Sequence, residues 1–215
     1  MLAGHFAVAF AAKRLAPRTS LATLFVAAQL LDLLWPVFVL LGIEHFSIAG
    51  AGTVPPLVFD HYPWSHSLLA AAWWAMLAGG GWMALRKDAR GALVVCALVL
   101  SHWVLDLIVH VPDLQLVPSV PTRLGLGLWT HPVVAFAVEI VMLAAGAVVY
   151  ARATRAVRGA GSWGYWSLVA FIAAILAGSA FGPPPPDTRA VVWTDIAMWL
   201  LVAWAFWCDR ARMPR

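Results

Sequence analysis

GALVVCALVLSHWVLDLIVHVPD, residues 91–113, decides what kind of molecule this chain makes. As far as Pro112 it is an apolar run of the length a helix needs, about 20 residues at about 1.5 Å each, to cross a hydrocarbon layer. Set into that run are His102, Asp106, His110 and Asp113, spaced by four, four and three residues. At about 100° per residue those steps return to one narrow helix face. Pro112 then ends or kinks the helix. A His and an Asp at i and i+4 can aim two ligating side chains at one metal ion. The alternative is a buried face whose polar groups hydrogen-bond to neighbouring spans.

The rest of the chain is of the same kind. Of its 215 residues, 63% are hydrophobic and 11% are charged, and the mean hydropathy is +0.85; a soluble globular domain is excluded. The apolar runs are long and continuous, without the roughly ten-residue alternating segments of a membrane barrel, so the spans are helices. The expected fold is an all-α, polytopic transmembrane helix bundle forming one integral membrane domain over residues 1–215. Six long spans are predicted at 19–43, 64–85, 91–111, 129–151, 163–181 and 188–208, preceded by a short apolar helix over 2–12 that inserts as a half-span or tilts. Cys96 in mid-span and Cys208 near the end of the last span fall at different depths, so no disulfide between them is expected. Lys13 and Arg14 follow the first apolar run and do not precede it, so no removable signal peptide is expected. No internal repeat is evident, which disfavours the inverted-repeat plan of many transporters.

Positive charge orients the bundle. Lys13, Arg14 and Arg18, then Arg86, Lys87 and Arg90, then Arg152, Arg155 and Arg158, then Arg210, Arg212 and Arg215 put twelve of the fourteen Lys and Arg residues on one side of an alternating topology. By the positive-inside rule that side is cytoplasmic and carries the C-terminus. The same short clusters account for the pI of about 9.6 and leave no nucleic-acid footprint. On the opposite side, residues 44–63 and 112–128 are Pro- and Gly-rich connections that can cap the outer mouth.

Counted inward from the basic flanks at about 1.5 Å per residue, Asp32, His102, Asp106 and Glu139 fall roughly 18–24 Å deep, between midplane and the outer interface. His66 belongs near the outer end of its span, just inside His61. His5 sits about 12 Å above Lys13 if the leader inserts, and Asp195 about 10 Å inward from Arg189. Pro36 lacks the amide that would reach the Asp32 carbonyl, so a kink is expected beside that acidic group; a bend that merely fits neighbouring helices is the other reading.

His5, His66 and His102 with Asp32 and Asp106 carry two negative charges when the imidazoles are neutral, which one divalent cation balances. Nitrogen and oxygen donors without cysteine fit zinc first, or manganese or iron, and several imidazoles argue against magnesium or calcium. Glu139 is then surplus charge: a general base, a ligand of a second ion or a protonated structural residue. The competing account scatters these groups structurally, with His45 solvated in its loop, His131 capping the helix at Pro132 and Asp195 paired with a neighbour. The cost of intramembrane charge favours a shared cluster.

With these residues in place, the chain resembles the bacterial inner-membrane proteins classed as membrane-bound, metal-dependent hydrolases, over roughly its first 120 residues. An N-terminal Gly-His is matched by Gly4 and His5. The family's His-Arg-Gly-x-Thr-His-Ser is matched in spacing by His61, Tyr62, Pro63, Trp64, Ser65, His66 and Ser67, and its His-x-x-x-Asp by His102 and Asp106. Where the family shows Asp-x-Asp-His, this chain reads Asp32, Leu33, Leu34, Trp35, and Tyr62 and Pro63 replace Arg-Gly. Those losses imply one metal ion in place of two, or a relative that keeps the scaffold without the chemistry.

The expected function is hydrolysis at an ion held by His5, Asp32, His66, His102 and Asp106, with His61 as an additional donor. Glu139 and His110 are the candidates to relay a proton from a metal-activated water whose pKa falls towards about 7. A substrate at that depth is amphiphilic, a lipid ester or phosphoester, and membrane lipid is the surrounding partner. Two other classes stay open: a small cation or proton carrier, and a non-catalytic scaffold whose polar groups join helices. The resemblance implies a bacterial inner membrane.

Overall fold

Side chains that accept a backbone amide start most of the spans. Ser20 Oγ accepts from the Thr23 amide at 3.1 Å to open α2 (Leu21–Ala28), and Ser67 does the same for Ala70 at 3.1 Å at the head of α5 (Leu68–Arg86). Asp88 accepts from Gly91 at 3.1 Å to open α6 (Ala89–Val109), and Asp187 from Ala190 at 2.7 Å to open α9 (Thr188–Ile196). Each such cap is worth about 1 kcal/mol. Pro132 occupies the first position of α7 (Pro132–Ala153), where its missing amide costs nothing. His131 precedes it at the cap position, but its side chain makes no capping bond, contrary to expectation. α8 (Gly159–Phe181) and α10 (Met198–Arg210) complete the long helices.

The structure is a computed structural model and describes residues 1–50 and 52–215. Five helical segments of 19 to 23 residues are apolar and long enough to cross a bilayer: α5, α6, α7, α8 and the run of α9 into α10. A sixth is the pair α2 and α3 (Leu30–Leu40), bent by 57° at their junction. The chain is therefore an all-α polytopic bundle. Large apolar side chains such as Leu69, Met76, Leu93, Val133, Val141 and Leu200 face outward, a surface suited to lipid and not to water.

The bend in the first long span does not fall at Pro36. Pro36 lies inside α3, and the break falls at Gln29, a buried polar residue with φ −103° and ψ 9°. The end of a helix leaves carbonyls without intrahelical partners, and that of Ala28, the last residue of α2, accepts from His102 Nδ1 at 2.7 Å. A partner outside the helix thus takes up a carbonyl at the break.

The short N-terminal helix, α1 (Leu2–Ala12), is inserted in the bundle, with eight of its eleven residues buried. It lies against α7 at Gly146, where a Cβ would overlap the Ala7 carbonyl oxygen, so only glycine permits this approach. Its Phe6 and Phe10 join Phe25, Tyr150 and Tyr165 in a fully buried aromatic cluster with ring centroids 4.8–5.6 Å apart.

Short antiparallel ladders close both ends. At the basic end, β5 (Thr154–Ala156) pairs with β6 (Arg212–Pro214). At the other, β1 (His45–Ile48) pairs with β2 (Leu57–His61), the four-residue helix α4 (Pro63–His66) follows, and β3 (Leu114–Gln115) pairs with β4 (Arg123–Leu124). The loop after β4 ends α6: the Leu126 amide donates to Leu107 O at 2.8 Å and the Gly127 amide to His110 O at 2.7 Å. The α-helix therefore stops at Val109, before Pro112.

Candidate metal centre

Four side chains from three helices converge. α6 presents His102 and Asp106 one turn apart, α3 supplies Asp32 from its first turn, and α4 supplies His66 from its last residue. His66 Nε2 lies 3.2 Å from Asp32 Oδ1 and 3.8 Å from Asp106 Oδ2. His102 Nε2 lies 3.4 Å from Asp32 Oδ1 and 3.1 Å from Asp106 Oδ2. These four atoms form a ring in which nitrogen and oxygen alternate.

Proton accounting shows why the ring is unusual. The Ala28 carbonyl can only accept, so His102 Nδ1 carries a hydrogen. When the ring is neutral, Nε2 is then a lone pair, buried between two carboxylates with which it makes no hydrogen bond. An acceptor facing two acceptors is satisfied by a proton on the ring or by a cation among them. Two imidazoles, two carboxylates and no thiol suit zinc, manganese or iron, and their two negative charges match one divalent ion. The residues present fit such an ion.

His5 approaches the ring from behind. Its imidazole stacks on that of His102 with centroids 3.7 Å apart and planes 7° from parallel, and its Nε2 lies 3.1 Å from Asp106 Oδ1. The Met1 amine pairs with the same oxygen. Two triads of potential ligands, His66 with His102 and Asp106, and His5 with Asp32 and His102, each keep their atoms within 4.8 Å of one another, so Asp32 and Asp106 face each other across His102. Access is one-sided: the Asp32 side chain keeps 26% of its exposure, whereas those of His5, His66, His102 and Asp106 keep 5% or less.

The remaining candidates fall elsewhere. His61 is exposed on β2, paired in register with His45, and does not reach the ring. His110 leaves the face of His102 and Asp106 because α6 stops at Val109 and its backbone turns extended; its Nδ1 lies 2.9 Å from Asp113 Oδ1. The Tyr62 hydroxyl donates to that same Asp113 oxygen at 2.6 Å. Burial, with Asp113 beside it, holds that hydroxyl well above the ordinary phenol range, so it stays a donor. Glu139 accepts from the amides of Ala3 at 2.7 Å and Gly4 at 3.3 Å, which fastens the start of α1 to α7. Asp195 has as its charged neighbour the like-charged Asp32, where a pairing partner was expected.

One polar group at this centre has no signal in the sequence. Glu44, in the Pro- and Gly-rich connection just before β1, is fully buried and bonds to Ser65 beside His66. It belongs to no periodic run, and its spacing from His66 matches no ligand motif. No family model, curated protein or solved structure matches this chain.

Proposed function

We propose that this protein is a membrane-embedded, metal-dependent hydrolase of an amphiphilic substrate, a lipid ester or phosphoester. The observation that carries the reading is the alternating ring of His66, Asp32, His102 and Asp106, in which the buried His102 Nε2 has no hydrogen-bond partner. The resemblance of residues 1–120 to bacterial inner-membrane hydrolases supports it, and the basic flanks support a cytoplasmic C-terminus.

His66, His102, Asp32 and Asp106 would hold a zinc, manganese or iron ion, and His5 would steady Asp106 from behind. When bound, a divalent cation supplies Lewis acidity and an acidified water. The chain's residues do the rest. The low exposure of the histidines and Asp106 keeps bulk water out, and Asp32 stands at the entry. His110, held by Asp113 at 2.9 Å, would relay the proton at the outer end. An amphiphile can bring a polar head to this depth and leave its chains in lipid.

A specific contact favours a second reading. The Met1 amine on Asp106 supplies positive charge without an ion, as a non-catalytic joint between helices would. Metal analysis of the detergent-purified protein, followed by incubation with a panel of lipid esters and phosphoesters with and without chelator, separates the two. About one ion per chain and chelator-sensitive product are the expected results. Absence of metal overturns the hydrolase in favour of the joint, and ion flux into liposomes without turnover overturns it in favour of a carrier.

A further inference from the structure

We propose that Glu44 is a positioning residue that, through Ser65, fixes which nitrogen of His66 carries the ring hydrogen. This rests on the metal-centre reading above. Glu44 Oε1 accepts from the backbone amides of Trp64 at 2.7 Å and Ser65 at 2.8 Å, and Oε2 accepts from Ser65 Oγ at 2.7 Å. Ser65 Oγ in turn lies 2.7 Å from His66 Nδ1.

A serine hydroxyl has one hydrogen. With that hydrogen committed to the carboxylate, Ser65 Oγ meets Nδ1 as an acceptor, so Nδ1 carries the ring hydrogen and Nε2 is left as the lone pair towards Asp32 and Asp106. The same outcome is reached at His102 by a backbone carbonyl. Outer partners of this kind orient metal-binding histidines and set their tautomer.

The carboxylate is what gives the relay its direction. Fastening the start of α4 needs only an oxygen at Oε1, which glutamine would provide without the cost of a buried charge. Glutamine would place an NH2 group where Oε2 stands. That group donates to Ser65 Oγ, the serine hydrogen turns to His66 Nδ1, and the ring hydrogen moves to Nε2, pointing into the ring. A residue that only staples α4 would be indifferent to this exchange.

The test uses full-length protein with 15N-labelled histidine in detergent, zinc-free and zinc-loaded, for wild type, Glu44→Gln, Ser65→Ala and Ser65→Thr. Nitrogen shifts report the His66 tautomer, and competition with a chelating dye reports zinc Kd. In wild type and Ser65→Thr, His66 Nδ1 is expected to carry hydrogen in both states. In zinc-free Glu44→Gln the hydrogen is expected on Nε2. Zinc Kd is expected to weaken by about 10–100-fold in Glu44→Gln and Ser65→Ala, the usual loss for an outer partner, and to be retained by threonine. Ser65→Ala leaves both amide bonds of Glu44 in place, so an unchanged Kd there overturns the relay. A wild-type tautomer in Glu44→Gln overturns it equally. If wild type takes up no zinc, the hydrolase reading fails, and the tautomer in the zinc-free proteins still decides the role of Glu44.

Discussion

Two buried clusters of charge lie at opposite ends of α1, and they are built differently. Beside Lys13, Asp209 takes the ammonium at 2.9 and 3.0 Å, the Tyr150 hydroxyl at 3.0 Å and the Leu21 amide at 3.1 Å, while Lys13 also donates to Thr19 O at 2.8 Å. Each of these contacts runs from donor to acceptor. Beside His5, two imidazole nitrogens and two carboxylate oxygens alternate around a ring, and His102 Nε2 has no hydrogen-bond partner. Both clusters are largely shielded from solvent. Burial alone therefore does not mark a site; groups whose valences are spent on one another hold a fold together, and groups left facing the same empty point are suited to bind something.

The sharpest way to break that contrast is at the Lys13 end. Asp209→Ala leaves an ammonium buried and unpaired, and about 3–5 kcal/mol of unfolding free energy is expected to be lost. Protein that still folds should keep its zinc. An equal loss in metal-free His102→Ala would erase the distinction between the clusters. At the other end, zinc at about 100 times its Kd should stabilise wild type by about 2.7 kcal/mol. In denaturant titrations Asp209→Ala should gain as much and His102→Ala nothing, with a chelator reversing the gain.

Gly146→Val tests whether α1 couples the two clusters. Driving α1 off α7 should cost about 1–3 kcal/mol and weaken zinc binding in the same variant; lost stability with unchanged zinc affinity would uncouple them. The smallest effect is expected from Tyr62→Phe, which removes one hydrogen bond worth about 1 kcal/mol and should leave zinc content alone. The folded-state hydroxyl titrates above its unfolded value of 10.0. Tyr62 should therefore contribute a loss of stability as pH climbs past that unfolded value, and Tyr62→Phe should lose less than wild type there.

The spans were legible because lipid sets their length: apolar runs of about 20 residues admit little else. His102 and Asp106 were legible for a related reason, since four residues return to one face, and depth counting brought His66, Asp32 and His5 to the same level. The misses have local causes. Extending the helix to Pro112 carried His110 along the same face, but a loop from β4 satisfies the last carbonyls of α6 and ends it sooner. Pro36 drew attention as the visible helix breaker, whereas the bend falls at Gln29, beside a carbonyl whose partner is a histidine 74 residues away in sequence. His61 fits a motif by spacing and is turned outward by its strand. Glu44 left no trace because its partners are two amides of the short helix α4 and one hydroxyl, contacts that no periodicity encodes.

α1 also imposes a constraint of phase. Eight positions separate His5 from Lys13, a little over two turns, and each end is seated in a fixed socket of its own. One inserted residue between them would rotate one socket's occupant by about 100° and advance it by about 1.5 Å relative to the other. The helix thus behaves as a keyed shaft: it can absorb an exchange of side chains on its faces, but lengthening or shortening it by a single residue would unseat one end or the other.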